Sequence, residues 1–339
     1  MATHSITKEV DHAMQIIGTD ISKGKLHSSL LVDPQRKKAK NKAAQNTPAG
    51  FRSLLEWACR HGKCEASQLH FVMEATGIYH ENLAEFLVEA GCKVSVVNPF
   101  QAKKFAQSHG FRSKNDRHDG LVLALYGHER QLPAWTPPPV EVRHLEALLA
   151  RLNALETDIN REQNRLEKSQ VGKAPSEVIT SLDNSIAFLN EQKDRLQKEI
   201  DDHLNKHPHL REKKDLLRSI PGIGDKLALK FLALFTSKSF CKAPQAAAFI
   251  GLIPVEYESG TTVYRRPRMS KAGDATLRAA LYLPAVTATR CNPDIRAFYQ
   301  RLLRAGKTKM AAIGAAMRKL VHIAFGVFKN RVPYQPQNA

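Results

Sequence analysis

The stretch MQIIGTDISKGKLHSSLLVD (residues 14–33) decides how the first part of the chain folds. Two apolar runs, 14–20 and 27–33, each end on an aspartate and flank the polar turn ISKGK. Short apolar runs broken by Gly and Lys predict a β-hairpin. Downstream, AGFRSLLEWACRHG (49–62) places Phe51, Leu54, Leu55 and Ala58 on one helical face. LHFVME (69–74) reads as a strand ending in an acid, and ENLAEFLVEAG (81–91) as a helix stopped by Gly91. KVSVVNP (93–99) is a strand ended by Pro99, and QAKKFAQSHG and DGLVLALYGHER are helices. Strand and helix alternating around a hairpin start predict an α/β domain with a mixed sheet.

QLPAWTPPPVE (131–141) is a proline-rich linker and marks a boundary. Beyond it Leu145, Leu148, Leu152, Leu155 and Ile159 step by three and four, as in a heptad. VGKAPS (171–176) interrupts, and Leu182, Ile186, Leu189, Leu196, Ile200 and Leu204 resume the stripe. These near-neutral helices predict a helical hairpin or coiled coil, used for self-association or packed on its own domain. The expected domains are 1–135, 140–208 and 211–332.

Charge sharpens the division. The chain has 339 residues and a formal net charge of +18. Residues 141–218 hold 14 bases and 15 acids, whereas 219–339 hold 19 bases and 5 acids. A concentrated basic block is the footprint of a polyanion partner; the alternative is a basic protein with no such partner. Cys59, Cys64, Cys92, Cys241 and Cys291 are odd in number and scattered, which argues against a disulfide framework or zinc site and for a reducing compartment. No stretch is expected to reach the roughly 18–20 apolar residues of a membrane span. The N-terminus lacks an apolar signal-peptide core, so the chain reads as cytoplasmic; a bacterial-type, nucleoid-associated setting is the accompanying expectation.

FRSKNDRHDG (111–120) keeps Asp116 and Asp119 inside a basic run. Three-residue spacing puts both on one face at the mouth of a helix. Dipole stabilisation of first-turn acids would explain them in isolation. Asp20 and Glu74, however, end two strands, and strand ends can converge on a helix start. Four gathered carboxylates repel one another unless cations lie between them, and hard oxygen ligands suit Mg²⁺ or Mn²⁺. Arg112, Lys114 and Arg117 would meet substrate phosphates. SIPGIGDK (219–226) holds a glycine turn whose Gly222 and Gly224, with Lys226, could approach a DNA backbone; most such turns are simply turns.

GTDISKGKL, FVMEATGIY, SVVNPFQAKKFAQSHGFRSKNDRHD, SIPGIGDK and ESGTTVYRRPRMSKAGDATLRAALY, in this order, resemble the DEDD-type insertion-sequence transposases. The resemblance covers nearly the whole chain. It implies an RNase H-like (RuvC-like) N-terminal domain, an α-helical coiled-coil hairpin and a mainly α C-terminal transposase domain. It sets an acidic metal-binding tetrad on Asp20, Glu74, Asp116 and Asp119, and a nucleophilic serine on Ser270. It further implies a covalent phosphoserine-type intermediate and a structured guide (bridge) RNA from the element's non-coding end, which pairs with donor and target DNA. Homodimers assembling to a tetramer, with a composite active site, are implied as well.

Locally, Arg265, Arg266, Arg268 and Lys271 surround Ser270 with charge suited to a scissile phosphate. Ser259, Thr261 and Thr262 are alternative hydroxyls, and Ser270 as a plain loop residue is the structural alternative. His109, His118, His203, His207 and His209 are possible bases or ligands without an assigned role. Tyr79 and Tyr264 could stack on a base, but core packing is expected of both. Two other functions stay open: a metal-dependent nuclease such as a junction resolvase, and a binding protein without catalysis.

Overall fold

The computed structural model describes residues 14–75, 77–111, 116–238, 240–259 and 263–336; the side chains of 116, 117, 256–259 and 263–267 lie outside the description. The chain divides into two compact units, Met1–Pro137 and Pro138–Ala339.

The first unit is built on β1 (Gln15–Ile21), β2 (Lys25–Asp33), β3 (Lys38–Gln45), β4 (Leu69–Glu74) and β5 (Lys93–Val97), in the order β3-β2-β1-β4-β5. β1, β2 and β3 run antiparallel in sequence, whereas β4 is parallel to both β1 and β5. This mixed sheet is the expected RNase H-like arrangement. Period-two alternation gives the sheet two apolar faces. One presents Ile17, Leu26, Leu30, Phe71 and Met73 to α1 (Pro48–Gly62) and α2 (Glu81–Glu89). The other carries Leu31, Val72 and Val97 beneath α3 (Pro99–Ser108) and α4 (Asp116–Glu129). Burial of each such large side chain contributes about 1.5–3 kcal/mol.

β3 was not foreseen. KAKNKAAQ has no apolar run, and its Lys38 and Lys40 are exposed. It is a strand because its backbone completes the β2 ladder, and edge lysines disfavour pairing with a further chain. At the opposite edge the proline-rich linker is tied to β5. The Trp135 N–H donates to the Val94 carbonyl at 2.7 Å, and the Ser95 hydroxyl to the Pro133 carbonyl at 2.7 Å.

The second unit begins with two long helices, α5 (Val140–Val171) and α6 (Ser176–Lys206), packed against each other across the break at 172–175. Val142, Leu145, Leu152, Leu155 and Ile159 of α5 and Ile200 and Leu204 of α6 are buried, whereas Leu182, Ile186 and Leu189 of α6 are only half-buried. α7 (Pro208–Arg218), α8 (Asp225–Ser237) and α9 (Ala243–Phe249) precede a hairpin of β6 (Pro254–Ser259) and β7 (Val263–Met269). α10 (Ala275–Ala280), α11 (Tyr282–Cys291), α12 (Pro293–Arg304) and α13 (Lys309–Asn330) complete the unit.

Contrary to the sequence expectation, α13 is long and apolar enough to cross a membrane. Its Ala312, Ala316, Leu320, Val321 and Ala324 are fully buried in the core of this unit, and that duty accounts for its composition. Phe231 stacks on Phe235 at 5.2 Å, and Phe235 meets Phe325 of α13 edge-on at 5.5 Å.

Candidate active site

Two glycines set the position of the acids. A β-carbon on Gly18 of β1 would lie 2.0 Å from the Gly120 carbonyl oxygen and 2.3 Å from the Ala124 nitrogen of α4. One on Gly127 would lie 2.5 Å from Val72 and 3.2 Å from Ile16. The helix therefore crosses β1 backbone on backbone and runs back toward the start of the strand. Asp20 is two residues past the crossing along β1, about 6.6 Å. Position 116 is four residues before it along α4, about 6 Å in the same direction. Strand end and helix start thus reach the same edge of the sheet.

The register supplies the third acid. Gly18 pairs with Val72 and Thr19 with Met73, so the next step sets Asp20 beside Glu74 on strands about 4.8 Å apart. Gly18 and Val72 both face α4 and side chains alternate, so Asp20 and Glu74 face it too. Asp20, Glu74 and Asp119 are all half-buried. The Asp116 and Arg117 side chains, and Arg112 and Lys114 altogether, lie outside the described residues.

Among the described residues no three His, Cys, Asp or Glu side chains form a closed metal-binding group. The donor set nevertheless fits a hard divalent ion: carboxylates alone, two on adjacent parallel strands, facing the first turn of a helix. His109 is engaged elsewhere, stacked on Phe105 at 4.0 Å and 2.9 Å from Glu129. The Lys37 ammonium donates to the His109 carbonyl at 3.0 Å and lies 4.9 Å over Phe111, anchoring the residue before 112–115. His118 lies 6.0 Å from the Phe111 ring. Tyr79 is 41% exposed, so the core role expected of it is not what it performs.

In the second unit Ser270 follows β7 on a turn held from both sides. Its N–H donates to the Ile253 carbonyl at 2.8 Å, and Lys271 N–H to the Gly251 carbonyl at 3.2 Å. Lys271 adopts a left-handed φ of 56°, uncommon for a residue with a side chain. Gly273 has φ 143°, and a β-carbon there would come 2.2 Å from the Phe249 carbonyl. The Arg278 guanidinium donates to the Ile250 carbonyl at 2.8 Å and Arg318 to that of Leu252 at 3.2 Å, locking the facing loop. Asp274 then caps α10 by accepting from Leu277 N–H at 2.9 Å. The Ser270 hydroxyl oxygen accepts from Ala272 N–H at 3.3 Å, and no basic side chain among the described residues hydrogen-bonds to it. Strain of this kind collects where a side chain must be presented in one geometry.

Arg268 and Lys271 are exposed beside the serine; the side chains of Arg265, Arg266, Tyr264 and Ser259, and all of Thr261 and Thr262, fall outside the described residues. At the glycine turn, Gly222 with φ 100° is packed, its β-carbon position 2.7 Å from the Ala288 side chain. Gly224 faces open space at the start of α8, and Lys226 is paired with Glu156. Sequence reasoning missed Lys214 and Arg218, which hold Asp225 at 3.1 and 3.3 Å beside that turn. It also missed Gly18 and Gly120, although a glycine two residues from one acid and next to another was a readable sign of close backbone approach.

The other histidines pack at the base of the α5–α6 pair. His203 lies 4.6 Å from His144 and 4.5 Å from His207, and its Nε2 is 2.8 Å from the Glu141 carbonyl. Burial holds its pKa below the ordinary histidine range. His209 sits 3.4 Å from the Glu141 carboxylate.

Comparison with known proteins gives concordant matches. A transposase family, the DEDD type of IS110, matches residues 17–170, and the family described as Transposase IS116/IS110/IS902 matches 214–300. The pilin gene-inverting protein of Moraxella bovis is 32% identical over 320 residues, covering 94% of this chain and 97% of the relative. An uncharacterized 43.6 kDa protein of insertion element IS110 from Streptomyces coelicolor is 28% identical over 47% of this chain and 38% of its own length. Among solved structures, RuvC of T. thermophilus in complex with a Holliday junction substrate aligns with 13% identity and a TM-score of 0.28, covering 36% of this chain and 99% of that one.

Proposed function

The chain belongs to the IS116/IS110/IS902 transposase family, an enzyme acting on DNA with a DEDD-type RuvC-like domain, and from this premise we propose a site-specific recombinase that breaks and rejoins strands through a serine. The near-full-length likeness to pilin gene-inverting proteins supports inversion of a DNA segment, or movement of an insertion element, as the outcome.

In this reading Asp20, Glu74, Asp116 and Asp119 hold Mg²⁺ or Mn²⁺. A divalent ion there would favour deprotonation of an attacking oxygen and offset charge growing on the phosphate. Ser270 attacks phosphorus: the Oγ–P bond forms, one P–O bond to a sugar breaks, the serine loses its proton and the departing sugar oxygen gains one. Attack by a sugar hydroxyl on the phosphoserine then reverses the bookkeeping and frees the serine. Arg265, Arg266, Arg268 and Lys271 bind the phosphate. Gly224 and Lys226, with the packed Gly222 shaping the turn, would meet a DNA backbone, as would Arg112, Lys114 and Arg117.

The observation that carries the reading beyond simple hydrolysis is the locked turn at Ser270, which a two-metal nuclease does not need. Partner choice is assigned to a structured guide RNA, supported by the basic block of residues 219–339 and the family resemblance. The helices over 140–208 are assigned to oligomer formation, dimer to tetramer, supported by their half-buried outer stripe. The setting is cytoplasmic.

The test is covalent trapping. Protein, transcript of the element's non-coding end, Mg²⁺ and end-labelled element DNA are incubated and denatured. Label on the wild type that is lost in Ser270→Ala supports the serine mechanism. Cleavage with no protein-linked label, unaffected by that change, replaces it with a metal-dependent hydrolase.

A further inference from the structure

A groove of about 390 Å³ is walled in part by the residues on either side of Ser270 in the chain. Its wall includes both chain neighbours of the serine, Met269 and Lys271, together with Arg278, Tyr282, Met310 and Met317. Among the described residues, two bases and no acid line it. Large apolar groups stand open there, Met310 at 63% and Tyr282 at 37% exposure, and the Tyr282 hydroxyl reaches the Met310 sulfur at 3.8 Å. Room for Met269 depends on a glycine: a β-carbon at 314 on α13 would lie 2.9 Å from the Met269 methyl.

We propose that this groove receives an unstacked nucleobase of the DNA strand, the one adjoining the phosphate that Ser270 attacks. The inference rests on the placement of that phosphate at Ser270 argued above. Three features select this occupant. Flat, polarizable walls of methionine and tyrosine accept the π-face of any base, and thioethers adapt to several shapes. Lys271 and Arg278 give the rim the charge complementary to the flanking phosphates. Met269 and Lys271, the chain neighbours of Ser270, wall the groove, so a strand whose phosphate lies at the serine has an adjoining base within reach of it. Seating the base against an aromatic face offsets the cost of pulling it from the stack. The attacked phosphate would thereby be held in one register against the serine.

The test uses Ser270→Ala full-length protein with the element transcript and junction duplexes in which 5-iodouracil replaces single bases along the strand. Irradiation should give one crosslink position, mapping by mass spectrometry to Tyr282 or Met310. Its yield should fall about tenfold in Tyr282→Ala and in Met310→Gln, matching the stacking contribution of a base. Met310 is 63% exposed, so its variant keeps the test readable if Tyr282→Ala fails to fold. Crosslinks that map only outside the groove, or that persist in both variants, overturn the proposal. So does a change of oligomeric mass in Met310→Gln with no crosslink at all, which would make the groove a protein contact. The serine itself is read separately: a crosslink at Tyr282 without a trapped phosphoserine in the wild type retains the groove and removes the nucleophile.

Discussion

Gly18 of β1 and Gly120 of α4 touch through their backbones, so closely that a β-carbon on Gly18 would stand 2.0 Å from the Gly120 carbonyl oxygen. This contact positions the helix that carries Asp116 and Asp119. Gly18→Ala should therefore act on chemistry as well as on stability. Overpacking against backbone costs about 1–3 kcal/mol and is relieved only by lifting α4. The expected result is a lower thermal midpoint and strand cleavage that needs far more Mg²⁺. Cleavage at unchanged Mg²⁺ demand in a destabilised variant would show that the crossing does not set the acids.

Removing charge without volume tests the acids directly. Asp119→Asn and Asp116→Asn should each abolish cleavage and covalent trapping while retaining DNA affinity in a gel-shift assay. A carboxylate lost from the proposed divalent-ion site removes an oxygen ligand that an amide replaces poorly. Retained cleavage in both variants would remove the metal site from the mechanism.

How much of this was legible in the sequence varied by element. The hairpin, the strands that carry Asp20 and Glu74 at or next to their ends, the start of α4 and the Asp274 cap follow from apolar period, turn residues and capping chemistry, all local properties. β3 was invisible because KAKNKAAQ is held by its neighbour's ladder and not by burial. The packing of Gly222 was hidden for a related reason: the contact with Ala288, 66 residues away, that leaves no room for a side chain has no local mark in the sequence. Ser270 was nameable only through resemblance, since the hydrogen bonds accepted by the carbonyls of Ile250, Gly251, Leu252 and Ile253, which hold its turn and the facing loop, leave no local mark.

The turn offers a sharper separation of stability from activity. Lys271 holds a left-handed φ of 56° at a cost of about 1–2 kcal/mol for an L-residue. Lys271→Gly should raise the thermal midpoint slightly while slowing formation of the trapped intermediate, because the ammonium beside the phosphate is gone. Gly273→Ala should do the reverse of the first effect, since its β-carbon meets the Phe249 carbonyl at 2.2 Å. Equal trapping rates for Lys271→Gly and the wild type would dismiss the lysine as a phosphate contact.

His70 gives the first unit a pH limit. The ring is buried in β4 with its Nε2 2.9 Å from the Ser95 hydroxyl, which itself donates to Pro133 in the linker. Burial, aided by the Lys93 charge, pushes its pKa from 6.5 down to about 4. The folded state therefore favours neutral His70, and the unfolded chain binds the extra proton between those values. The stabilisation is complete above about pH 6.5, declines as pH falls and is spent below about pH 4. Urea midpoints for Met1–Pro137 signals should drop between pH 7.5 and 5 in the wild type, and the drop should flatten in His70→Gln, whose amide can still meet Ser95. The protection factor of the Trp135 N–H, bonded to Val94, should fall over the same interval once the slower intrinsic exchange at low pH is divided out, because the linker is tied to β5 through the same serine. Parallel pH slopes for the two proteins would place the acid sensitivity in another group.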